Sequence, residues 1–176
     1  MSVLSWGKPR TFRKNLDETD SKWVELPTAV ENSVQLTTTK GDKKEAKIEG
    51  GEYEDIKYAK NTYALAENIR AAKGRQKPFK DVDGVVPGNY AFALQPEDPK
   101  TPGLCFLKSA VSVEDTYTSE EGGVWVITFD ALKSAANKNQ IYWGLIEVTE
   151  ADGAISKIEC DPTCVDETAE KFVIGE

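Results

Sequence analysis

Apolar and polar residues alternate with a period of two through much of this chain, a pattern that predicts β-strands. The alternation is unusual near the middle of residues 34–60. There, one face of the predicted strand is entirely charged, with Lys43, Glu45, Lys47 and Glu49. The opposite face carries Lys44 and only two apolar side chains, Ala46 and Ile48. Such a strand cannot form the middle layer of an apolar core.

These residues belong to a long polar β-hairpin that we predict over residues 34–60, with turns at Gly41-Asp42 and Gly50-Gly51. A hairpin with so little apolar surface is marginally stable alone. We therefore expect it to pair with a partner, such as a second copy of the chain. The predicted interface residues are Lys40, Lys43, Glu45, Lys47, Glu49, Glu52, Glu54 and Lys57.

The second half of the chain predicts the core. Both faces of the segment 124–129 are apolar, which is typical of a central, two-sided strand. Asp152-Gly153 is a strong two-residue hairpin signal. We predict a four-strand antiparallel meander as the core of residues 89–159, with Trp125 and Trp143 packed inside it.

The first 33 residues predict an N-terminal arm, and residues 34–176 predict a single β domain. The arm has little periodicity and contains Trp6 and Trp23, so it must lie against something. Two interpretations stay open: the arm packs on its own domain, or it contacts a neighbouring subunit through these two tryptophans. The predicted fold class is mainly β, an antiparallel β-sandwich or barrel with a long polar hairpin and one short helix.

Two segments can be interpreted as either helix or strand. Residues 61–74 fit a helix capped by Thr62, but they also alternate as a strand does, with Leu65, Glu67 and Ile69 on one face. We favour the strand, with the helix as its rival.

The C-terminal segment fits a short helix with Asp161 as its cap and Pro162 at the first position. It equally fits a strand over residues 171–174.

Composition narrows the function classes. The chain has 176 residues, of which 30% are charged, and a net charge of −8, which argues against nonspecific nucleic-acid binding through a basic patch. It contains no histidine, which removes the commonest general base and metal ligand. Its three cysteines form no disulfide framework, so a reducing compartment is expected. No run of about 18 apolar residues predicts a membrane span.

The cysteines are candidate metal ligands. Cys160 and Cys164, with Asp161 between them, have a plausible spacing, but a zinc site usually takes four cysteine or histidine ligands. Only Cys105 remains as a further thiolate. We therefore predict small buried thiols, with no metal and no cofactor.

A second candidate is the acidic cluster around Gly50-Gly51, formed by Glu49, Glu52, Glu54 and Asp55. Paired carboxylates can serve a glycosidase or a calcium site. Lysines are interleaved along the same hairpin, a pattern more typical of an ion-pair ladder, either solvated or between subunits. We therefore predict that the protein is not an enzyme.

The layout of the chain resembles a known family. A loop-rich arm is followed by the polar hairpin TTTKGDKKEAKIEGGEYEDIK, by the alternating strand TYALAENIR, and by a meander that includes VWVITFDAL and IYWGLIEV. Most of the chain is similar in this layout to the tail tube (major tail) proteins of long-tailed phages and prophages. No short motif carries the resemblance.

The resemblance implies a subunit that forms hexameric rings, which stack into a hollow tube within the virion tail after synthesis in the host cytoplasm. It implies contacts with other copies and other tail proteins, and DNA that passes through without specific binding. Residues 40–57 would then supply both subunit pairing and lumen surface. The resemblance also implies that the lumen is negatively charged. The hairpin differs from this expectation, because its lysines bring its local charge near neutral.

A β-sandwich binding module that recognises carbohydrate or a protein partner is the alternative hypothesis. It predicts exposed aromatic residues along one groove, with Trp6 and Trp23 as the candidates.

Overall fold

The computed structural model describes residues 4, 6–133, 139–163 and 170–175. Within them the chain forms twelve strands and no helix. The strands are β1 (Arg10–Asn15), β2 (Val24–Glu25), β3 (Gln35–Thr39), β4 (Lys43–Lys47), β5 (Tyr53–Tyr58), β6 (Thr62–Arg70), β7 (Val85–Gln95), β8 (Gly103–Thr118), β9 (Gly122–Ala131), β10 (Ile141–Ala151), β11 (Ala154–Pro162) and β12 (Phe172–Val173).

Ten of these strands form one antiparallel sheet, while β4 and β5 form a separate two-stranded sheet. The order along the large sheet is β12-β11-β10-β8-β7-β1-β2, and a branch runs from β8 through β9 and β6 to β3. The predicted fold class is confirmed: the protein is mainly β, antiparallel and sandwich-like, and the sheet does not close into a barrel.

Strand β8 creates the branch because it is 16 residues long. Its first part, Gly103 to Phe106, pairs with β10. Its second part, Ser109 to Thr118, pairs with β9. Strand β7 runs along the other edge of β8. One long strand thereby joins the two parts of the fold.

Both faces of β7 are buried, so a core lies on each side of it. On one side Phe92 packs against Phe106 and Phe129, with ring centroids 5.7 and 4.5 Å away. On the other side Ala91 and Ala93 are fully buried against the second core. Their small side chains let that core approach the strand closely. This two-sided burial is typical of a central strand.

The strand interpretation of the first ambiguous segment is confirmed. Strand β6 runs from Thr62 to Arg70 and pairs with β3 on one edge and β9 on the other. Leu65, Glu67 and Ile69 share its buried face, with the alternation that the sequence predicts. The backbone N–H and C=O groups of β6 form hydrogen bonds with β3 on one edge and β9 on the other. The segment therefore satisfies its buried backbone groups as a strand.

The predicted core meander differs from the structure in one pairing. Successive pairing holds for β7 with β8, β8 with β9, and β10 with β11. Strand β10, however, pairs with β8, and the second edge of β9 is taken by β6. The great length of β8 explains the difference, since its one edge has room for β9 and β10 in series. The first strand of this region also starts earlier than predicted, at Val85.

At the C-terminus the proposed helix start is wrong, because Asp161 and Pro162 end strand β11. Residues 164–169, on which the predicted helix would fall, lie outside the described residues. Phe172 and Val173 form β12, in agreement with the strand interpretation of residues 171–174.

Candidate functional site

The polar hairpin, defined as residues 40–60, stands apart from both cores. Strands β4 and β5 pair only with each other among the described strands, so the outer edge of each is open. Every residue of β4 and all of β5 except Ile56 are exposed. The hairpin therefore gains almost nothing from burial on its own chain.

The turn at Gly50-Gly51 is confirmed. Both glycines have positive φ angles, +95° and +85°, a conformation that glycine adopts without strain. The Ile48 N–H donates to the Glu52 carbonyl at 3.0 Å, and the Gly51 N–H donates to the Ile48 carbonyl at 3.2 Å. The tip of the hairpin is thus a closed, hydrogen-bonded turn.

The turn predicted at Gly41-Asp42 is wrong, because the chain continues through these residues along the same leg. The Gly41 N–H donates to Asn61 Oδ1 at 3.0 Å, and the Ala59 N–H donates to the Asp42 carbonyl at 2.8 Å. A Cβ on Gly41 would lie 2.1 Å from the Ala59 carbonyl oxygen. Gly41 therefore marks a close backbone approach between the two legs, and the β4–β5 hairpin continues the β3–β6 pair.

One face of the hairpin combines lysines with tyrosines. The ammonium groups of Lys43 and Lys47 lie 5.1 and 4.9 Å from the centre of the Tyr53 ring, and that of Lys40 lies 5.3 Å from the Tyr58 ring. Glu45 forms an ion pair with Lys43 at 2.5 Å. The hydrogen bond to Glu45 raises the pKa of Lys43. These contacts are exposed, so each contributes little to stability.

Sequence reasoning missed the two tyrosines, although aromatic residues in a polar hairpin were a visible signal. Tyr58 lies opposite Lys43, but Tyr53 reaches the same face only because of a bulge between Ala46 and Lys47. A bulge shifts the alternation by one residue, and sequence periodicity does not reveal it.

The opposite face places two like charges side by side. Lys44 lies directly across from Lys57 in the ladder, and Ala46 lies across from Asp55. Like charges at directly opposed positions destabilise a strand pair. Neither lysine of this pair forms an ion pair within the described residues.

Charge is also divided along the length of the hairpin. The acidic tip, defined as residues 48–56, contains no lysine or arginine, whereas lysines concentrate in the rest of the hairpin, nearer the large sheet. The acidic residues of the tip are Glu49, Glu52, Glu54 and Asp55, and all are exposed. Within the described part of the chain, none of them forms an ion pair.

The two arm tryptophans have opposite environments. Trp23 is 5% exposed and lies in the second core, where its backbone forms an isolated bridge with Ile155. At Trp23 the arm therefore packs on its own domain, and this side chain is not available for contact with a neighbouring subunit. Trp6 is 76% exposed and lines a groove of about 680 Å³ together with Pro9, Val34 and other residues.

The two tryptophans predicted to pack in the core also differ. Trp125 is half-buried and packs against the first core. Trp143 is 51% exposed, so its predicted place in the core is wrong. It sits in β10 among apolar neighbours in sequence and is exposed even though Ile141, on the same face of the strand, is buried. Apolar composition on both faces of β10 concealed which face is buried.

The cysteines of the described chain are buried thiols. Cys105 in β8 and Cys160 in β11 both belong to the second core and are fully buried. A hydrogen bond between their side chains raises the pKa of Cys105, with burial adding to the effect. Cys164 lies outside the described residues. Among the residues that are described, no group of three potential ligands could hold a metal ion.

Glu67 in strand β6 is a buried carboxylic acid. It is fully buried, and the Thr11 hydroxyl donates to its Oε2 at 3.2 Å. Its other carboxyl oxygen has no hydrogen-bond partner within the described residues. Burial raises the pKa of Glu67 to about 7. The carboxyl lies within the core and lines neither the groove that contains Trp6 nor the one that contains Trp23.

No protein-family model matches the sequence, and no curated protein matches it. No helix within the described ranges has the length and apolar character needed to cross a membrane.

Proposed function

We propose that this chain is a non-enzymatic structural subunit that assembles with copies of itself through the β4–β5 hairpin. The observation that supports this proposal is a two-stranded sheet with exposed faces and open outer edges. Open edges are available for pairing with another chain. A symmetric assembly can complete them repeatedly with identical neighbours.

We further propose that the assembly is a tail tube of a long-tailed phage or prophage, built from stacked hexameric rings. The order of arm, polar hairpin and apolar strands supports it. Between Lys40 and Lys60 the hairpin carries six basic and six acidic residues. A wall of mixed charge offers DNA no net attraction through counterion release, so DNA would pass without being held. Other tail proteins would contact the ends of the tube.

The proposal is tested by mass in solution as a function of protein concentration, with negative-stain electron microscopy of the heaviest fraction. We expect rings or tubes at high concentration. A protein that stays monomeric under every condition, with no particles in the images, would overturn the proposal.

A matched variant isolates the hairpin. Replacing residues 43–58 with Asn-Gly leaves Asp42 and Ala59 flanking a two-residue turn, and the Ala59 N–H already donates to the Asp42 carbonyl at 2.8 Å. We expect this variant to fold as a monomer and to lose assembly. Assembly equal to that of the intact chain would exclude the hairpin as the interface.

A second candidate function is a binding module. It is favoured by one observation, the groove of about 680 Å³ lined by the exposed Trp6. Exposed tryptophan is a common platform for a partner with one apolar face. A glycan array with the intact protein and the Trp6→Ala variant tests it, and binding that is lost in the variant would support this function over self-assembly.

A further inference from the structure

A basic loop follows strand β6. We define it as residues 70–80, a segment that contains five basic residues and no acidic residue in a chain whose net charge is −8. Lys77 is compensated, since its ammonium lies 2.7 Å from Asp81 and 2.8 Å from Asp115. The other four, Arg70, Lys73, Arg75 and Lys80, are exposed and form no ion pair among the described residues.

Backbone contacts hold this loop in place without neutralising it. Arg70 Nη1 donates to the Glu121 carbonyl at 3.2 Å, and Arg75 Nη1 donates to the Arg70 carbonyl at 2.8 Å. Phe79, buried in the first core, anchors the end of the loop. Carbonyl oxygens are neutral acceptors, so the guanidinium charges remain available to an anionic partner.

The acidic tip of the hairpin has the complementary charge. It presents four exposed carboxylates without an ion pair in the described chain, against four exposed cations on the basic loop. Complementary charged patches of this kind orient the encounter between two protein surfaces.

The two patches adjoin opposite ends of one strand. Strand β6 begins at Thr62, where the chain arrives from the hairpin, and ends at Arg70, where the basic loop starts. Its nine residues span about 30 Å at roughly 3.3 Å per residue. The hairpin extends the β3–β6 pair away from the Thr62 end, so the tip and the start of the loop in one molecule lie at least the length of the strand apart.

We propose that the basic loop of one molecule receives the acidic tip of a second copy. Because the two patches are different and lie at opposite ends, the contact is head-to-tail. Contacts of this kind build rings or filaments, whereas a two-fold dimer needs the same patch on both molecules. The inference rests on the proposed self-assembly and names two surfaces that make the contact.

A second copy fits the loop better than nucleic acid does. Affinity for a phosphate backbone rises with the number of phosphates that cations neutralise, and the loop offers only four exposed cations, equal in number to the carboxylates of the tip. The one aromatic residue of the loop, Phe79, is buried and cannot stack on a base.

Charge reversal tests the contact. The tip variant carries Glu49→Lys, Glu52→Lys and Glu54→Lys, and the loop variant carries Lys73→Glu, Arg75→Glu and Lys80→Glu. Each variant alone should raise the concentration needed for assembly by at least about tenfold. An equimolar mixture should restore assembly, because the basic tip of one variant meets the acidic loop of the other.

Two control variants make the same change in net charge at exposed positions elsewhere. One carries Glu18→Lys, Glu31→Lys and Glu170→Lys, and the other carries Lys8→Glu, Lys22→Glu and Lys100→Glu. Both should assemble close to the wild-type concentration. Circular dichroism and thermal unfolding confirm that every variant folds.

The outcomes separate this inference from the proposed function. Wild-type assembly that neither reversal weakens, or a mixture that fails to recover, overturns the tip-to-loop contact and leaves self-assembly standing. A wild-type chain that never assembles overturns both. A monomer that binds duplex DNA through the loop, and loses binding in the loop variant, shows nucleic acid to be the occupant in place of a second copy.

Discussion

Two strand pairs of this molecule, β7–β8 and β4–β5, share antiparallel backbone hydrogen bonding. They differ in how far their faces are buried and in whether their outer edges are paired. The central part of the β7–β8 pair, around Phe92 and Phe106, is buried on both faces between two cores. The β4–β5 pair is exposed on both faces and open along both outer edges. Backbone hydrogen bonds contribute only modestly to net stability, because the unfolded chain makes them with water.

The comparison teaches where the stability of the single molecule resides. Apolar burial around β7 and β8 supplies it, since burial is the dominant favourable term in folding. The hairpin adds little to that stability, and its outer edges are open. In the self-assembly that we propose, a partner strand would supply along these open edges what burial does not.

The sharpest way to break the comparison is to remove a core ring. Phe92→Ala deletes the side chain packed between Phe106 and Phe129, and we expect a loss of about 3–5 kcal/mol in the free energy of unfolding. Tyr58→Ala in the hairpin, as the matched control, should change it by less than about 0.5 kcal/mol. Urea unfolding of both variants measures the difference, and equal losses would contradict the division into core and hairpin.

The next effect is the pH dependence caused by Glu67. Its pKa is raised to about 7 in the folded protein, so folding favours the protonated carboxyl. The resulting stability is fully present below the ordinary pKa of glutamate and is lost as pH rises toward 7. Glu67→Gln removes this loss, and the variant should be more stable than wild type above pH 7 by up to an order of 3 kcal/mol.

This second prediction is measured by thermal or urea unfolding across pH 4 to 8. The variant's advantage should vanish at the acidic end, where wild-type Glu67 is also neutral. Glu31→Gln, at an exposed site, is the control and should leave the profile unchanged. A variant that is less stable than wild type at every pH would contradict the assignment of a neutral buried carboxyl.

A smaller effect is expected at the joint between the two regions. Gly41→Ala would place a Cβ 2.1 Å from the Ala59 carbonyl oxygen, and relief of that overlap should cost about 1–3 kcal/mol locally. Limited proteolysis should then cut the hairpin faster, while the core resists as before. Gly50→Ala, where a Cβ meets no atom within 4 Å, separates overlap from the strain of a positive φ. An unchanged cleavage rate in Gly41→Ala would show that the joint tolerates a side chain.

The smallest effect concerns the like charges that face each other across the hairpin. Lys44→Glu converts the Lys44–Lys57 pair into an opposite-charge pair, which should stabilise the isolated hairpin by a few tenths of a kcal/mol, about 0.2–1 at most. Amide hydrogen exchange in β4 and β5 should slow accordingly. Lys47→Glu, which instead removes the contact with Tyr53, should speed it. The opposite order would contradict the register of the two strands.

Sequence patterns identified much of the fold because they report local constraints. Alternation placed Glu67 on the same face as Leu65 and Ile69 in a strand, and adjacent glycines marked the tip of the hairpin. The tryptophans show the limit of such reasoning. Trp23 lies in a polar stretch and is buried, whereas Trp143 lies in an apolar strand and is exposed. Which face of a two-sided strand is covered depends on layers that are remote in sequence.

The candidate site is likewise only partly visible in the sequence. The sequence by itself determined that the segment around Lys43 is a strand without a strongly apolar face, since its polar residues fall on both faces of the alternation. It also showed the acidic cluster around Gly50-Gly51. The basic residues between 70 and 80 form a continuous run too, but sequence reasoning did not single them out. These features follow from side-chain chemistry and the period of a strand, which need no knowledge of the partner strand.

Only the tertiary structure decided which strands pair and where the two charged runs lie relative to each other. It joined β4–β5 to β3–β6 through Gly41, brought Tyr53 onto the lysine face through a bulge, and set the tip and the start of the loop at opposite ends of β6. Register and pairing depend on contacts between distant segments competing for the same strand edges. A linear pattern does not record that competition.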